Sequence, residues 1–412
     1  MKLKAPRAEV FMKFHDLALY AIFVLWAALT FSPALAEISF VVALAAWCVW
    51  KIPQNFRMDG MPKIIWIPLA VFLLWIFLSW PVSEYPSKSF RGITKILQQL
   101  LLFLMTADLL RTREGIRKFE KVFLFVAWVI LLDGIFQYCF EKDFLRGHWV
   151  VHSRAGSRIA ASFGSYGKFA SYLICILPYL GLLGLYYRKA EKDLRRSCLA
   201  LLVFSGSLGL LLLTRSRGAF LAFGAALVFM FLIRRKFLWL VLFLAAFLGG
   251  ACLLPKGMLI HLDSEFKEQS LVERYYLWRR AVDVIRAKPI FGTGINTYAV
   301  AHQKYDRTQN WRVRNYYAHN GYLQMAAETG LPGLLFFLIF LFAYFFYSFQ
   351  PFESPPWDHR FRLALLTGLF SFLVFSAVDT VLHNEQPALT FWFLMGLQLA
   401  YRHRENGLEC AA

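Results

Sequence analysis

Long apolar runs constrain this chain more than any other feature of its sequence. Ile64–Trp80, Phe119–Phe140 and Leu363–Leu382 are each long enough to cross about 30 Å of hydrocarbon as a helix. Hydrophobic residues make up 58% of the 412 residues and charged residues only 17%, far less charge than a soluble domain carries. The sequence therefore predicts an all-α polytopic membrane protein and excludes a soluble enzyme.

The apolar pattern predicts about twelve membrane-spanning helices. The first begins near Leu17 and is expected to remain as a helix, because no cleavage pattern of a signal peptide follows it. The fourth, Ile93–Leu110, contains Lys95 and Asp108, so we expect it to face protein. The last span is short. The predicted spans are centred near residues 24, 42, 72, 101, 129, 177, 205, 225, 245, 340, 372 and 394.

Short basic loops set the predicted orientation. Because positive charge is retained in the cytoplasm, these loops and both termini are expected there. The predicted cytoplasmic segments are Met1–Asp16, Lys51–Lys63, Arg111–Lys121, Arg188–Arg196, Arg234–Lys236, Gln350–Arg362 and Arg402–Ala412.

The same orientation puts two long basic loops, Lys142–Lys168 and Pro255–Gly330, on the outer face. Long loops cross a membrane regardless of their charge. Their positive charge suits an anionic ligand such as a lipid phosphate, and equally suits anionic lipid headgroups. We expect residues 1–412 to form a single membrane domain, with residues 255–330 as a large loop between the ninth and tenth spans.

Neither the cysteines nor the histidines predict a metal site. The six cysteines are scattered and form no C-x-x-C pair, so we expect neither a disulfide framework nor zinc. His148 and His152 share a helical i, i+4 spacing, but no third ligand lies near them in the sequence. Asp263 and Glu265 form an acidic pair without another carboxylate cluster to support it.

One amphipathic helix is predicted inside the second long loop, and Pro289 ends it. We expect it to lie along the membrane surface or to cap the bundle. Glu273, Arg274, Arg280 and Asp283 lie off its apolar stripe, and a solvated face is the simpler interpretation for most of them. The stripe is formed by Leu271, Tyr275, Trp278, Val282 and Ile285.

Basic residues at the ends of spans are the first candidates for chemistry. Arg215 and Arg217 lie in a very short turn between the seventh and eighth spans. Arginines there either reach lipid headgroups or clamp a diphosphate through bidentate contacts. Arg158 lies in the first long loop, where Gly164–Lys168 is too short a motif for a phosphate-binding P-loop.

His319 is the best acid–base candidate, because it ends the longest polar loop just before an apolar span begins. An imidazole can accept the proton of a sugar hydroxyl near neutral pH. A single histidine is more often structural, so this residue alone does not establish a site.

Three motifs together resemble the O-antigen ligase family, which includes O-antigen polymerases. They are Ser216-Arg217-Gly218 at the start of a span, then Glu273-Arg274 with Trp278 and Pro289–Gly294, and finally His319-Asn320 with Gly330 and Gly333. Arg158 with Phe163-Gly164 is similar to an earlier family motif. The resemblance covers roughly residues 155–335.

This resemblance implies a GT-C-like membrane glycosyltransferase that is inverting and metal-independent, with no cofactor and no nucleic-acid partner. It would move a glycan (the O-antigen) from undecaprenyl diphosphate to a sugar hydroxyl of lipid A-core, on the periplasmic face of the bacterial inner membrane. Arg217 and Arg274 would neutralise the leaving diphosphate, with Arg215 and Arg158 as helpers. His319 would orient or deprotonate the acceptor hydroxyl, and Asn320 would contact substrate.

Other functions remain open. A polymerase of the same family would use a second lipid-linked glycan as acceptor, and a protein O-oligosaccharyltransferase would use a Ser or Thr side chain. A polyisoprenoid-lipid transporter belongs to a different class. Transporters more often show paired halves with charges inside the membrane. Here the charges cluster in loops and no matching halves are visible.

Overall fold

The computed structural model describes residues 5–56, 61–152, 156–242, 245, 264–305, 317–351 and 355–403. The described residues form helices joined by short connections, with two isolated antiparallel β-bridges, Lys142 with Trp149 and Val151 with Arg158. The α-helices are α1 (Ala5–Phe31), α2 (Pro33–Lys51), α3 (Lys63–Ser79), α4 (Pro86–Leu109), α5 (Arg113–Phe140), α6 (Tyr166–Lys189), α7 (Leu194–Leu213), α8 (Arg217–Ile233), α9 (Ser264–Ala287), α10 (Tyr298–Ala301), α11 (Gly321–Phe349), α12 (Pro356–Ser376) and α13 (Glu385–His403). Single 3-10 turns occur at Ile52–Gln54, Ala161–Phe163, His302–Tyr305 and Val381–His383.

The prediction of an all-α polytopic membrane protein is confirmed. Seven of the described helices (α1, α2, α4, α5, α6, α7 and α11) are long and apolar enough to cross a membrane, and α3 and α8 are shorter apolar helices. Each predicted span centre lies on one of the described helices, apart from the ninth, near residue 245, which falls almost wholly outside the described residues. The number of spans stays a prediction.

Contacts between the ends of the long helices define two distinct ends of the bundle. At one end, the amide of Gln386 donates to the carbonyl of Leu29, which joins the end of α1 to the start of α13. The long loops lie at this end, which we call the loop end. At the opposite end, Lys51 forms a buried ion pair of 2.7 Å with Asp108. The short basic segments between the helices lie at that opposite end, and the membrane face that each end meets remains a prediction.

α4 faces protein along only part of its length. Asp108 is 4% exposed and Gln99 is 6% exposed, as expected for a span that packs against other helices. Asp108 also accepts a hydrogen bond of 2.9 Å from the indole of Trp47. Lys95, on the same helix, is exposed.

The predicted amphipathic helix is confirmed as α9, which ends before Pro289, but its buried face is rotated from the predicted stripe. Tyr275 is 58% exposed, whereas Arg280, expected to be solvated, is 3% exposed. The small side chains of Ala281 and Val284 let α9 pack closely on the start of α11. α9 therefore caps the bundle. The side chains of Leu271 and Glu273 lie outside the described residues.

The predicted metal-free character of the chain stays a prediction, and His148 and His152 do not lie on a helix. Gly147 follows a turn at residues 144–146 and adopts a φ of +74°, and the two histidines after it lie on non-helical chain. Within the described residues, no group of three or more His, Cys, Asp or Glu side chains could hold a metal ion. The side chains of Asp263 and Glu265 lie outside the described part. Cys48, Cys139, Cys175 and Cys198 are free thiols, and Cys252 and Cys410 are not among the described residues.

Candidate functional site

A break in α11 organises the loop end of the bundle. Gly330 has φ 76° and ψ 173°, values that L side chains rarely adopt, and Pro332 follows it. A Cβ atom added to Gly330 would come within 1.8 Å of the carbonyl oxygen of Ile290. Only glycine therefore allows the chain around Ile290 to lie against the break.

We call Pro289–Gly294 the docking segment. It forms hydrogen bonds with the backbone groups of α11 that the break leaves without a partner in the helix. The amides of Thr293 and Gly294 donate to the carbonyls of Ala327 and Glu328, at 3.1 and 2.8 Å. The amide of Leu331 donates to Pro289 at 2.8 Å. The glycines of this motif thus hold α9 against α11 and do not line the site.

Buried Glu328 strengthens the same junction. It is 1% exposed and accepts hydrogen bonds from the backbone amides of Asn296 and Tyr298, at 2.8 and 3.1 Å. His383, in the turn between α12 and α13, places Nε2 3.8 Å from the Glu328 carboxylate. Burial lowers the pKa of His383 to about 4, so this imidazole is neutral at pH 7 and acts as a packing residue.

His319 lies immediately before α11 in the left-handed backbone region, with φ 47°. Its side chain is 38% exposed, and its Nδ1 is 3.6 Å from Oδ1 of Asp379. The next residue, Asn320, uses its side-chain oxygen to accept hydrogen bonds from the amides of Tyr322 and Leu323, at 3.1 and 3.0 Å. Asn320 therefore caps α11 and fixes the direction of the chain at His319. Its contact with substrate stays a prediction.

The turn Val378-Asp379, at the end of α12, brings the candidate residues together. Nη1 of Arg274 donates to the carbonyl of Val378 at 2.8 Å. The amide of Gly321 donates to the carbonyl of Asp379 at 3.2 Å, which fastens the start of α11 to the same turn. Arg274 and His319, far apart in sequence, thus converge on two adjacent residues.

Two glycines allow this turn to lie close to α6 and α8. A Cβ atom added to Gly218 would come within 2.9 Å of Val378, and one added to Gly167 within 2.7 Å of Oδ2 of Asp379. Arg217 is the first residue of α8, and its side chain is exposed. The Ser216 side chain makes no capping hydrogen bond at that helix start. The start of α8 is therefore a positive, uncapped helix end beside Arg274 and His319.

Arg158 and Arg215 form a neighbouring basic group. The guanidinium of Arg158 lies 4.6 Å from the centre of the Tyr166 ring, and that of Arg215 lies against Gly156. The Nε atoms of both arginines are buried and have no hydrogen-bond partner among the described residues. No contact between described residues joins either of them to His319 or Asp379, so their part in the site stays a prediction.

Asp379 is the site residue that the sequence did not predict. It lies far along the chain from His319, outside every motif of the resemblance. The one signal available was an acidic residue at the end of an apolar run, a position where a charge is costly without a partner.

An apolar groove of about 840 Å³ runs beside this site between α8, α11 and α12. It extends from Tyr322, at the loop end, to Gln350 at the opposite end, and is lined mainly by phenylalanines such as Phe229, Phe342 and Phe370. Phe342 is 72% exposed, so the groove opens toward the membrane. A long apolar chain could lie in it with its polar end near His319.

The chain shows one similarity to a known family. Residues 200–338 match the family model described as O-Antigen ligase, and no curated protein matches the chain. The matched range contains Arg217, Arg274, His319 and the break at Gly330, whereas Asp379 lies outside it. Residues 200–338 of this multi-pass membrane protein are therefore similar to the O-antigen ligase family.

Proposed function

We propose that the protein is a membrane glycosyltransferase that moves a glycan from undecaprenyl diphosphate to a sugar hydroxyl of lipid A-core, at the periplasmic face of the inner membrane. The observation that carries this proposal is the convergence of Arg274 and His319 on the turn Val378-Asp379, with the start of α8 packed on the same turn. The family match supports the reaction class in general.

Arg217 and Arg274 are suited to bind the diphosphate of the donor. Arg274 is half-buried, and its bond to Val378 leaves the remaining N–H groups of its guanidinium to face a ligand. Arg217 adds an exposed guanidinium at a helix start, where partial positive charge already favours anions. As the bond from the anomeric carbon to the diphosphate oxygen breaks, both cations stabilise the negative charge that develops. Arg158 and Arg215 are placed to bind more distant anionic groups.

His319 is suited to act as the general base. Because its Nδ1 is turned toward Asp379, its Nε2 is left for the acceptor hydroxyl. The hydroxyl oxygen attacks the anomeric carbon while its proton passes to Nε2, and the donor bond breaks on the opposite side, which inverts the anomeric centre. Asp379 stabilises the imidazolium that forms. The 3.6 Å separation is longer than a hydrogen bond and needs only a small closure when substrates bind.

The groove beside Tyr322 supports a lipid-linked donor. A polyisoprenoid chain laid along its phenylalanines would be shielded from water and would hold the diphosphate at the loop end. A metal or nucleotide is not required by this proposal, because the glycosyl diphosphate already carries the driving force of the transfer.

In vitro transfer with purified protein, undecaprenyl-diphosphate glycan and rough lipopolysaccharide tests the proposal. We expect a high-mass lipopolysaccharide product that persists in EDTA. Arg217→Ala, Arg274→Ala and His319→Ala should each remove it while the protein still inserts into the membrane. Arg279→Ala is the matched control, because Arg279 is an exposed arginine five residues along α9 from Arg274.

The product of the transfer assay distinguishes between the related functions. Longer lipid-linked glycan without a lipopolysaccharide product would indicate a polymerase, and glycan on Ser or Thr side chains would indicate a protein O-oligosaccharyltransferase. Full activity in all three alanine variants would overturn the assigned site. Lipid movement without any glycan transfer would favour a transporter instead.

A further inference from the structure

α4 carries an exposed basic stripe that the proposed reaction does not use. Lys88, Arg91 and Lys95 follow one another at steps of three and four residues, so they share one face of the helix, and all three side chains are exposed. α4 is also one of the helices long and apolar enough to span the membrane. Lys95 lies about 13 Å along the axis from the start of the helix at Pro86.

Cations exposed at this depth need an anionic partner, because a bare charge on a membrane-facing helix is costly. Among the described residues, Lys88 and Arg91 have no carboxylate within ion-pair distance, unlike Lys51 at the opposite end. The three charges extend over about 10 Å of helix, which is longer than one phosphate can contact. The stripe therefore suits a headgroup that bears more than one phosphate.

One carboxylate, Glu385, lies between the stripe and α6. Lys95 interacts electrostatically with Glu385 at the start of α13, and Glu385 interacts in turn with Lys168 on α6. Lys168 directly follows Gly167, the residue against which the Asp379 carboxylate lies. Lys95 at the end of the stripe and Lys168 near the start of α6 are thus both neighbours of Glu385.

The stripe and the apolar groove lie on different faces of the bundle. The groove is formed by α8, α11 and α12, whereas the stripe lies on α4, and α13 packs against both α4 and α12. Two amphiphilic molecules can therefore bind to the bundle without competing for one surface.

We propose that the stripe Lys88, Arg91 and Lys95 binds the phosphates of the acceptor glycolipid and directs its sugar toward His319. This inference rests on the proposed function. It assigns the acceptor to α4, because the groove and the two arginines Arg217 and Arg274 already accommodate the apolar chain and the diphosphate of the donor.

The double variant Lys88→Gln/Arg91→Gln tests the assignment in the transfer reaction. Each basic residue near an anionic lipid surface contributes about 1 kcal/mol, so we expect the acceptor KM to rise about thirty-fold when two are neutralised. The kcat and the donor KM should be unchanged. With a chemically dephosphorylated acceptor, the variant and the wild type should have equal KM values. Arg279→Gln is the matched control, and it should leave every constant unchanged.

A binding measurement separates this inference from the proposed reaction. Wild-type protein in neutral nanodiscs should retain the phosphorylated acceptor in native mass spectrometry, and the double variant should lose it. A wild type that transfers no glycan while this difference in binding persists would refute the proposed reaction. That result would still support acceptor binding by the stripe. An unchanged acceptor KM with unchanged binding would overturn the stripe. Displacement by an equal amount of phosphatidylglycerol would also overturn it, since the surface would then bind bulk lipid.

Discussion

At the scale of single residues, the missing side chain of Gly167 sets the position of Asp379. A methyl group there would come within 2.7 Å of Oδ2 of Asp379 and would push the carboxylate away from its place beside His319. We expect Gly167→Ala to lower kcat by about tenfold to a hundredfold, because small displacements of a catalytic group have effects of that size. Steady-state transfer kinetics measure it.

Gly209→Ala is the control for this substitution. Gly209 also lies in a helix, and a Cβ atom added there would meet nothing within 4 Å. Its kcat should equal that of the wild type. An unchanged kcat in Gly167→Ala as well would mean that Asp379 does not act through its position beside His319.

Candidate site residues could be named from the sequence only where the residue type and its local sequence marked them. Arg217, Arg274 and His319 stood in recognisable motifs, and the structure brings Arg274 and His319 to one turn. Asp379 could not be predicted, because its partner lies in a different helix and no local pattern marks it. Asn320 also shows the limit, since a helix-capping asparagine and a substrate-binding asparagine look the same in a sequence.

At the scale of helices and loops, the break in α11 is the most sensitive point. Gly330→Ala would place a methyl group 1.8 Å from the carbonyl of Ile290 on a backbone with φ 76°. We expect a loss of at least about 3 kcal/mol of stability, since strain of this kind adds to the loss of the docking contacts. The thermal unfolding midpoint in detergent measures it.

Gly209→Ala is again the control. It should leave the stability of the protein unchanged or raise it slightly, because Gly209 lies in a helix interior. Two equal midpoints would contradict the docking of Pro289–Gly294 on the break. A selective loss in Gly330→Ala would show that this motif serves the fold.

The connection between α3 and α4 gives a pH-dependent contact. Burial alone would raise the pKa of Glu84, but hydrogen bonds from Tyr305, Lys304 and Lys288 outweigh it, and the pKa is lowered. The folded state therefore favours the carboxylate. The stabilisation is complete above the ordinary value of 4.5 and is lost as the pH falls through the lowered pKa.

We expect hydrogen exchange in residues 288–305 to accelerate as the pH falls from about 6 to about 3, after correction for the intrinsic exchange rate. Glu84→Gln should exchange quickly at every pH, because it removes the charge without removing the side chain. Identical pH profiles for the two proteins would exclude Glu84 as the cause.

Helix positions followed from the sequence more reliably than helix faces did. The existence and end of α9 were predictable from its apolar period and from Pro289. Its buried face was not, because packing on α11 buries Leu277, Arg280, Ala281 and Val284 instead of the predicted apolar stripe. The spacing of His148 and His152 likewise carried no information about a helix, because both lie on non-helical chain.

At the scale of the whole molecule, the two ends of the bundle make a topology experiment direct. We expect the loop end to be periplasmic and the opposite end cytoplasmic, as the positive-inside rule predicts. Ser157→Cys and Lys192→Cys are both exposed positions, one at each end. In a background with the native cysteines replaced by serine, an impermeant maleimide should label Ser157→Cys in intact spheroplasts. Lys192→Cys should react only after permeabilisation, and the reverse pattern would invert the topology.

The overall architecture was predictable because membrane-spanning helices are specified by length and apolarity alone. How the helices pack was not, since contacts such as Lys51 with Asp108 or Gln386 with Leu29 join residues far apart in the sequence. The candidate site depends on such contacts. Its residues in sequence motifs could therefore be named in advance, whereas the residue that contacts His319 from another helix could not.

The position of the basic stripe implies that acceptor recognition and glycan transfer belong to different parts of the chain. The range that matches the family, residues 200–338, holds the break, the docking segment and three proposed catalytic residues, whereas Lys88, Arg91 and Lys95 precede it. The residues that recognise the acceptor could then be exchanged without changing the residues that carry out the transfer. Grafting a different α4 onto the same scaffold should redirect the enzyme to another glycolipid without altering how the sugar is transferred.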